Sequence, residues 1–175
     1  TEHDYDNYFG LLMIAGNETT RHTISHGMQA LIEHPDQMQM LRDDPSLVTN
    51  AVDEILRWAT PVMHFRRTAT RDVEVRGKQI KAGDKVVIWF NSANHDADRF
   101  EHPFRFDLAR QDNEHMTFGR SGPHFCLGAW LARMEVRLVF EELFKRIDHF
   151  EPAGPIDRLR SNFIAGIKRL PVRVV

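Results

Sequence analysis

The segment Phe118-Gly119-Arg120-Ser121-Gly122-Pro123-His124-Phe125-Cys126-Leu127-Gly128 gathers the residue types best suited to chemistry. Its glycines and proline shape a compact loop, and the chain's only cysteine follows where a long helix is expected to begin. Helix N–H groups and the positive end of the helix dipole favour anionic sulfur, which acts as a metal ligand or a nucleophile. A nucleophile needs a positioned base, and His124, on an irregular loop, is poorly placed for that role. The plain alternative is a buried structural cysteine ahead of a helix. A second segment, Ala15-Gly16-Asn17-Glu18-Thr19-Thr20, sets an acid beside a hydroxyl. Gly16 leaves room against a helix for a cofactor or a local distortion. Neighbouring helical positions point about 100 degrees apart, so Glu18 and Thr19 do not form a simple pair. A solvated carboxylate and a hydroxyl bonded to a preceding carbonyl are the alternatives.

Two further spacings carry chemistry. Glu54 and Arg57, three apart on a helix, can form a charge-assisted pair. His22 and His26, four apart, can face together, but zinc would need distant ligands and no His-Glu-x-x-His run is present, so zinc is not expected.

The elements that position these residues follow from hydrophobic spacing. Tyr5, Tyr8, Phe9, Leu12, Ala15, Thr19, Thr23 and His26 predict a long helix from about Asp4 to His34. A short helix is expected over Gln37 to Arg42, and another over Ser46 to Trp58, where Leu47, Ala51, Ile55 and Trp58 share a face before Pro61. From Thr68 to Ala93, apolar alternation broken at Gly77-Lys78 and Gly83-Asp84 predicts a small antiparallel sheet of two or three strands. Asn94 to His115 is irregular, yet Phe100, Phe104, Phe106 and Leu108 mark it as a packed meander. A last helix is expected to begin at or just after Cys126 and to run to about Lys145, with Leu127, Leu131, Met134, Leu138, Glu142 and Lys145 along one stripe. The tail from Asn162 to Val175 reads as a hairpin or paired strands.

Composition narrows the possibilities. With 175 residues, 42% hydrophobic and 27% charged, the chain can bury the core of one globular domain. Its 23 basic and 25 acidic residues are interspersed, which gives no electrostatic reason to expect nucleic-acid binding. One cysteine excludes an intrachain disulfide and any multi-cysteine zinc or iron–sulfur site. With no long apolar run and no basic leader, neither a membrane span nor a signal peptide is expected.

A lone thiolate is, however, a complete axial protein ligand for haem iron, because the porphyrin supplies the equatorial nitrogens. The cysteine segment resembles the ligand loop of the cytochrome P-450 family of haem-thiolate monooxygenases, and three more motifs occur in that family's order. Ala15 to Thr20 resembles the oxygen-activation segment of its central helix, and Glu54-Ile55-Leu56-Arg57 its structural Glu-x-x-Arg motif. Phe65-Arg66-Arg67-Thr68-Ala69 precedes a sheet as in many bacterial members. Together the matches cover essentially the whole chain. The loop is one residue longer than the commonest family spacing, as in some bacterial members resembling sterol, terpenoid or other lipophilic-substrate hydroxylases.

This resemblance implies a mainly α fold: the carboxy-terminal portion of a cytochrome P-450 domain, with long helices, a small antiparallel sheet and an irregular meander. Residues 1–175 would be an incomplete domain, running from the oxygen-activation helix and lacking its amino-terminal portion. It implies haem b (iron protoporphyrin IX) held by Cys126, with Gly16, Arg67, Phe118, Gly122, His124 and Gly128 as further cofactor contacts. Arg67 and His124 would meet the propionates, and Phe118 would pack near the sulfur. Glu18 and Thr19 would assist oxygen activation, while Glu54 and Arg57 would be buried and brace the meander, with Arg105 a possible third charge. The implied activity is hydroxylation of a lipophilic small molecule with O2 and electrons from a ferredoxin or similar donor, in the cytoplasm. Arg120, Arg133 and Arg137 are the residues that would meet an acidic donor. The competing readings are a noncatalytic or partner-dependent haem-binding fragment, and a structural or interaction domain without haem.

Overall fold

The computed structural model describes all 175 residues. Helix α1, Glu2–Glu33, opens on a capping box in which the Thr1 side chain accepts from the Asp4 N–H and Asp4 answers at the Thr1 backbone. Helix α2, Pro35–Asp43, starts on proline, whose missing N–H costs nothing in a first turn. A single 3-10 turn, Pro45–Leu47, leads into α3, Val48–Ala59. The strongly amphipathic α3 buries Ala51, Val52, Ile55 and Leu56. It stops at Thr60, whose left-handed φ of 35° is held by a 2.7 Å hydrogen bond from its hydroxyl to the Arg57 carbonyl.

Four strands follow in two antiparallel pairs. Strand β1, His64–Thr68, begins before the expected sheet and pairs not with its neighbour but with β4, Lys85–Trp89. Between them β2, Val73–Val75, and β3, Lys78–Ile80, form a hairpin. Its two-residue turn, Arg76 (φ 47°) and Gly77 (φ 76°), has the positive φ values that match strand twist. The chain then turns into a short helix, α4, Phe90–Asn94, where a strand end was expected. The meander carries no regular element until α5, Ala129–Arg146.

In the tail, β5 (Phe150–Pro152), β6 (Asp157–Arg158), β7 (Ile167–Arg169) and β8 (Val172–Val174) nest as two antiparallel pairs, β6 with β7 and β5 with β8. The tail strands therefore pair with upstream partners and do not form a hairpin with each other.

The core lies where α1, α2, α3 and α5 meet the meander: Met28, Leu31, Met38, Leu41, Ile55, Leu56, Phe106, Leu108, Val136, Phe140 and Phe150. Gly27 makes the helix crossing possible, because a Cβ there would lie 2.7 Å from Ile55 Cγ2 and 2.9 Å from Phe140 Cζ. The apolar stripes that mark the two long helices are not what the core takes up. Tyr5, Tyr8, Phe9 and Leu12 on α1, and Leu127, Leu131, Met134 and Leu138 at α5, are exposed, and α5 buries Ala129, Val136 and Phe140 instead. Both helices carry apolar residues on more than one side, and only one side has a partner within the chain.

Candidate active site

The cysteine loop is built from backbone constraints. Gly119 (φ 75°) and Gly122 (φ 86°) take left-handed conformations that a side chain would strain. The Phe125 N–H donates to the Gly122 carbonyl at 3.1 Å, closing the turn, and the Cys126 N–H donates to the Phe118 carbonyl at 2.9 Å. Cys126 is half-buried at the end of this loop. Helix α5 starts just after the cysteine, at Ala129. The Ala129 N–H is already engaged by the Cys126 carbonyl at 3.3 Å, so Leu127 and Gly128 separate the thiol from the helix end.

Behind the loop, Phe118 leans on the core, and the Arg133 guanidinium sits 4.6 Å from its ring centroid. Asp53 holds Arg133 through a 2.8 Å bond and meets His115 Nε2 at 3.2 Å. Burial pushes the Asp53 carboxyl up, but its bonds to His115 and Arg133 outweigh that and hold it below the usual range. Arg133 thus braces Phe118. Arg120 pairs with Glu114 at 2.6 Å and Arg137 with Glu141 at 3.6 Å.

Glu54 and Arg57 are fully buried and joined by two parallel 2.8 Å bonds. Arg57 also donates to the carbonyls of Asn94 (2.7 Å), Pro103 (2.8 Å) and Arg105 (3.2 Å), which ties α3 to α4 and the meander. Glu54 accepts further from the Asp107 N–H, Arg110 Nε and Asn113 Nδ2. The third charge is therefore Arg110, which is 9% exposed, and not Arg105, whose side chain is 64% exposed and which contributes only its carbonyl. Buried Asn94 completes the brace, donating to the hydroxyls of Thr60 and Thr117 and accepting from the Met116 N–H. Neither Arg110 nor Asn94 stands out by spacing, because each contact spans many residues of irregular chain.

On α1, Thr19 donates to the Ala15 carbonyl at 2.8 Å. Glu18 is half-exposed, pairs with Arg21, and meets His22 Nε2 at 3.0 Å. The hydrogen bond from Arg21 holds the Glu18 carboxyl below its ordinary range. The helix passes Gly16 without interruption. His22 and His26 turn to the tail backbone: His22 Nδ1 faces the Ile167 N–H at 3.2 Å, and His26 Nε2 meets the Ala165 carbonyl at 2.9 Å. Arg67 and His124 are exposed. Arg67 donates to the Arg66 carbonyl and lies over the Phe65 ring. Cys126 and Phe118 are joined directly, whereas no hydrogen bond links Glu18, Thr19, Arg67 or His124 to Cys126.

No three His, Cys, Asp or Glu side chains converge on a point, so a metal here must bring most of its own ligands. A Cβ placed at Gly16, Gly122 or Gly128 would meet nothing within 4 Å, as at Gly10, Gly77 and Gly83, so no part of this chain fills the space beside those backbones. A single thiol with no other protein ligands fits haem, which needs one axial donor.

A family model described as Cytochrome P450 matches residues 1–171. The chain is 50% identical over 167 residues to a methyl-branched lipid omega-hydroxylase of Mycobacterium tuberculosis, covering 95% of this chain and 39% of that protein. It is 48% identical over 162 residues to a steroid C26-monooxygenase of Rhodococcus jostii, covering 93% and 34%. Among solved structures, a Mycobacterium marinum cytochrome P450 in complex with pseudoionone superposes with a TM-score of 0.91 at 47% identity, covering 94% of this chain and 40% of that one. A Bacillus megaterium relative in complex with testosterone gives a TM-score of 0.94 at 38% identity, covering 99% and 48%. The chain thus spans about two fifths of the length of the curated relatives it matches.

Proposed function

Because the chain belongs to the cytochrome P450 family, we propose that it is the carboxy-terminal, haem-holding portion of a monooxygenase that hydroxylates a lipophilic small molecule. The observation that carries this reading is the sole cysteine, half-buried on a glycine-shaped loop whose register is set by the Phe118 carbonyl. Cys126 would hold haem b. Phe118, wedged against the core by Arg133, would keep the sulfur side apolar and limit water access. Gly16, Gly122 and Gly128 would allow close approach, and Arg67 and His124 would offer donors to the propionates. When bound, haem supplies one-electron redox chemistry and O2 activation.

The chain's own residues handle position and protons. The Thr19 hydroxyl donates to the Ala15 carbonyl, which leaves its lone pairs free to accept a hydrogen bond from water or a ligand. Glu18, half in solvent, would collect protons at its carboxylate, and because it points about 100 degrees away from Thr19 the proton would reach the Thr19 side through intervening water. The Glu54–Arg57–Arg110 brace keeps the meander under the cysteine loop rigid and takes no part in proton transfer.

The names of the relatives, a methyl-branched lipid omega-hydroxylase and a steroid C26-monooxygenase, support a substrate with a branched alkyl end. O2 and a ferredoxin or similar donor would be the co-reactants. No helix is long and apolar enough to cross a membrane, and we place the protein in the cytoplasm. The exposed apolar sides of α1 and α5 favour dependence on the rest of the fold for activity. The test uses the full-length polypeptide with a ferredoxin, its reductase and heavy-oxygen O2, offered a methyl-branched fatty acid or a steroid bearing a branched alkyl side chain. One labelled oxygen in the product is expected, and electron consumption with no labelled product from any lipophilic substrate would contradict the reading.

A further inference from the structure

The Glu18 carboxylate is half in solvent, yet one of its partners is among the most buried polar side chains of the molecule. His22 is 1% exposed and lies between α1 and the tail segment. Its two ring nitrogens face different partners. Nδ1 lies 3.2 Å from the Ile167 N–H, a backbone donor with a fixed proton, so Nδ1 must be the unprotonated, accepting nitrogen. The single ring proton then sits on Nε2, 3.0 Å from Glu18 Oε2. Arg21 Nη2 also approaches Nε2, at 3.3 Å, but it is committed to the Glu18 carboxylate. Moving the proton to Nδ1 would set two N–H groups against each other at Ile167, and protonating both nitrogens would do the same. Burial first, and then Arg21, push the imidazolium form to lower pH, in agreement with a neutral ring.

The ring is also clamped from its far side. A Cβ at Gly166 would lie 2.9 Å from both His22 Cε1 and Nε2, so glycine is what lets the tail backbone close on the imidazole. The same tail segment is strapped to α1 and to the stretch between α3 and β1. The Met63 N–H donates to the Phe163 carbonyl, the Ala165 N–H donates to the Pro61 carbonyl, and His26 meets the Ala165 carbonyl.

We propose that His22 is a positioning residue for Glu18: the tail backbone at Ile167 fixes its tautomer, and its Nε2–H holds the Glu18 carboxylate in place for proton delivery. This rests on the reading of Glu18 as the proton-delivering acid. The tail thereby acts on oxygen activation through two hydrogen bonds and one side chain, without touching the reacting atoms.

Three substitutions in the haem-loaded full-length polypeptide separate the roles. His22→Asn puts an amide oxygen where Nδ1 stands, which keeps the Ile167 bond, but it is too short to reach Glu18. Gly166→Ala displaces the ring and leaves the imidazole intact. Glu18→Gln removes the acid. Losing one hydrogen bond to a charged group corresponds to about tenfold in a rate. His22→Asn and Gly166→Ala are expected to cut product formed per electron pair about tenfold, toward the level of Glu18→Gln, with substrate affinity unchanged. His22→Gln, whose longer amide can donate to Glu18, is expected to recover part of the loss. Independently of turnover, nitrogen NMR of labelled histidine in the diamagnetic reduced carbon monoxide complex should report a protonated Nε2 and a bare Nδ1 at His22. If Glu18→Gln uncouples the reaction while His22→Asn does not, or if His22 carries its proton on Nδ1, the proposal is overturned. If Glu18→Gln itself leaves coupling unchanged, the reading of Glu18 fails, and the role of His22 fails with it.

Discussion

Arg57→Lys isolates what the buried guanidinium does, because it keeps the charge and removes the fork. Arg57 makes five hydrogen bonds, two to Glu54 and one each to the carbonyls of Asn94, Pro103 and Arg105. The Arg105 carbonyl keeps Arg110 as a donor at 2.9 Å. Lysine, with one nitrogen, can stay with Glu54 but cannot also serve Asn94 and Pro103. The buried Asn94 carbonyl then loses this donor at about 1–3 kcal/mol, the half-buried Pro103 carbonyl loses it at the low end of that range, and half of the bidentate pair is lost as well. A total of about 3 kcal/mol follows, at the low end of the ~3–5 kcal/mol found when one partner of a buried pair is removed. That is a large share of a domain's stability of about 5–15 kcal/mol. Urea unfolding followed by tryptophan fluorescence and far-ultraviolet circular dichroism should show the midpoint falling by about 1.5 M, for a slope of about 2 kcal/mol per M. A loss below about 1 kcal/mol would mean that charge alone matters there and would refute the brace as described.

Gly27→Ala forces a methyl into contacts of 2.7 Å with Ile55 and 2.9 Å with Phe140. Overpacking of this kind costs about 1–3 kcal/mol, so a thermal midpoint lower by about 4–8 °C is expected, and an unchanged midpoint would contradict the close crossing. Stability should also depend on pH through the histidines. His22, His26 and His95 are all pushed to lower pKa, in each case chiefly by burial. The unfolded chain therefore binds protons that the folded one refuses. The stabilising contribution is full above the unfolded value of about 6.5 and is lost as pH falls through the folded values. Urea midpoints should drop between about pH 8 and about pH 5.5, and a midpoint that rises over this range would reverse the sign of the argument.

Some of this molecule can be read along the chain. Helix α3 is legible because Ala51 and Ile55 recur at helical spacing, and the Glu54–Arg57 pair because both partners sit on one helix, three apart. The loop at Cys126 is legible because Gly119 and Gly122 occupy positions where φ is positive. Other features depend on contacts that no local spacing encodes. Arg110 and not Arg105 enters the Glu54 network because the meander folds one carboxylate against residues 53 to 59 positions away. The α1 and α5 stripes mislead because periodicity marks an apolar face without saying whether this chain covers it: Leu131 and Met134 are exposed, and Val136 and Phe140 are buried. Helical spacing lets His22 and His26 face together, but only the fold shows that Ile167, 145 residues on, claims the His22 ring nitrogen.

The central claim is that Cys126 ligates haem iron through its sulfur. The reduced carbon monoxide difference spectrum of the haem-loaded full-length protein tests it most directly. A Soret band at the position diagnostic of thiolate ligation, abolished in Cys126→Ser while the fold measured by circular dichroism is retained, is the expected result. Folded, haem-loaded protein that lacks this band, or a band that survives Cys126→Ser, would contradict the account.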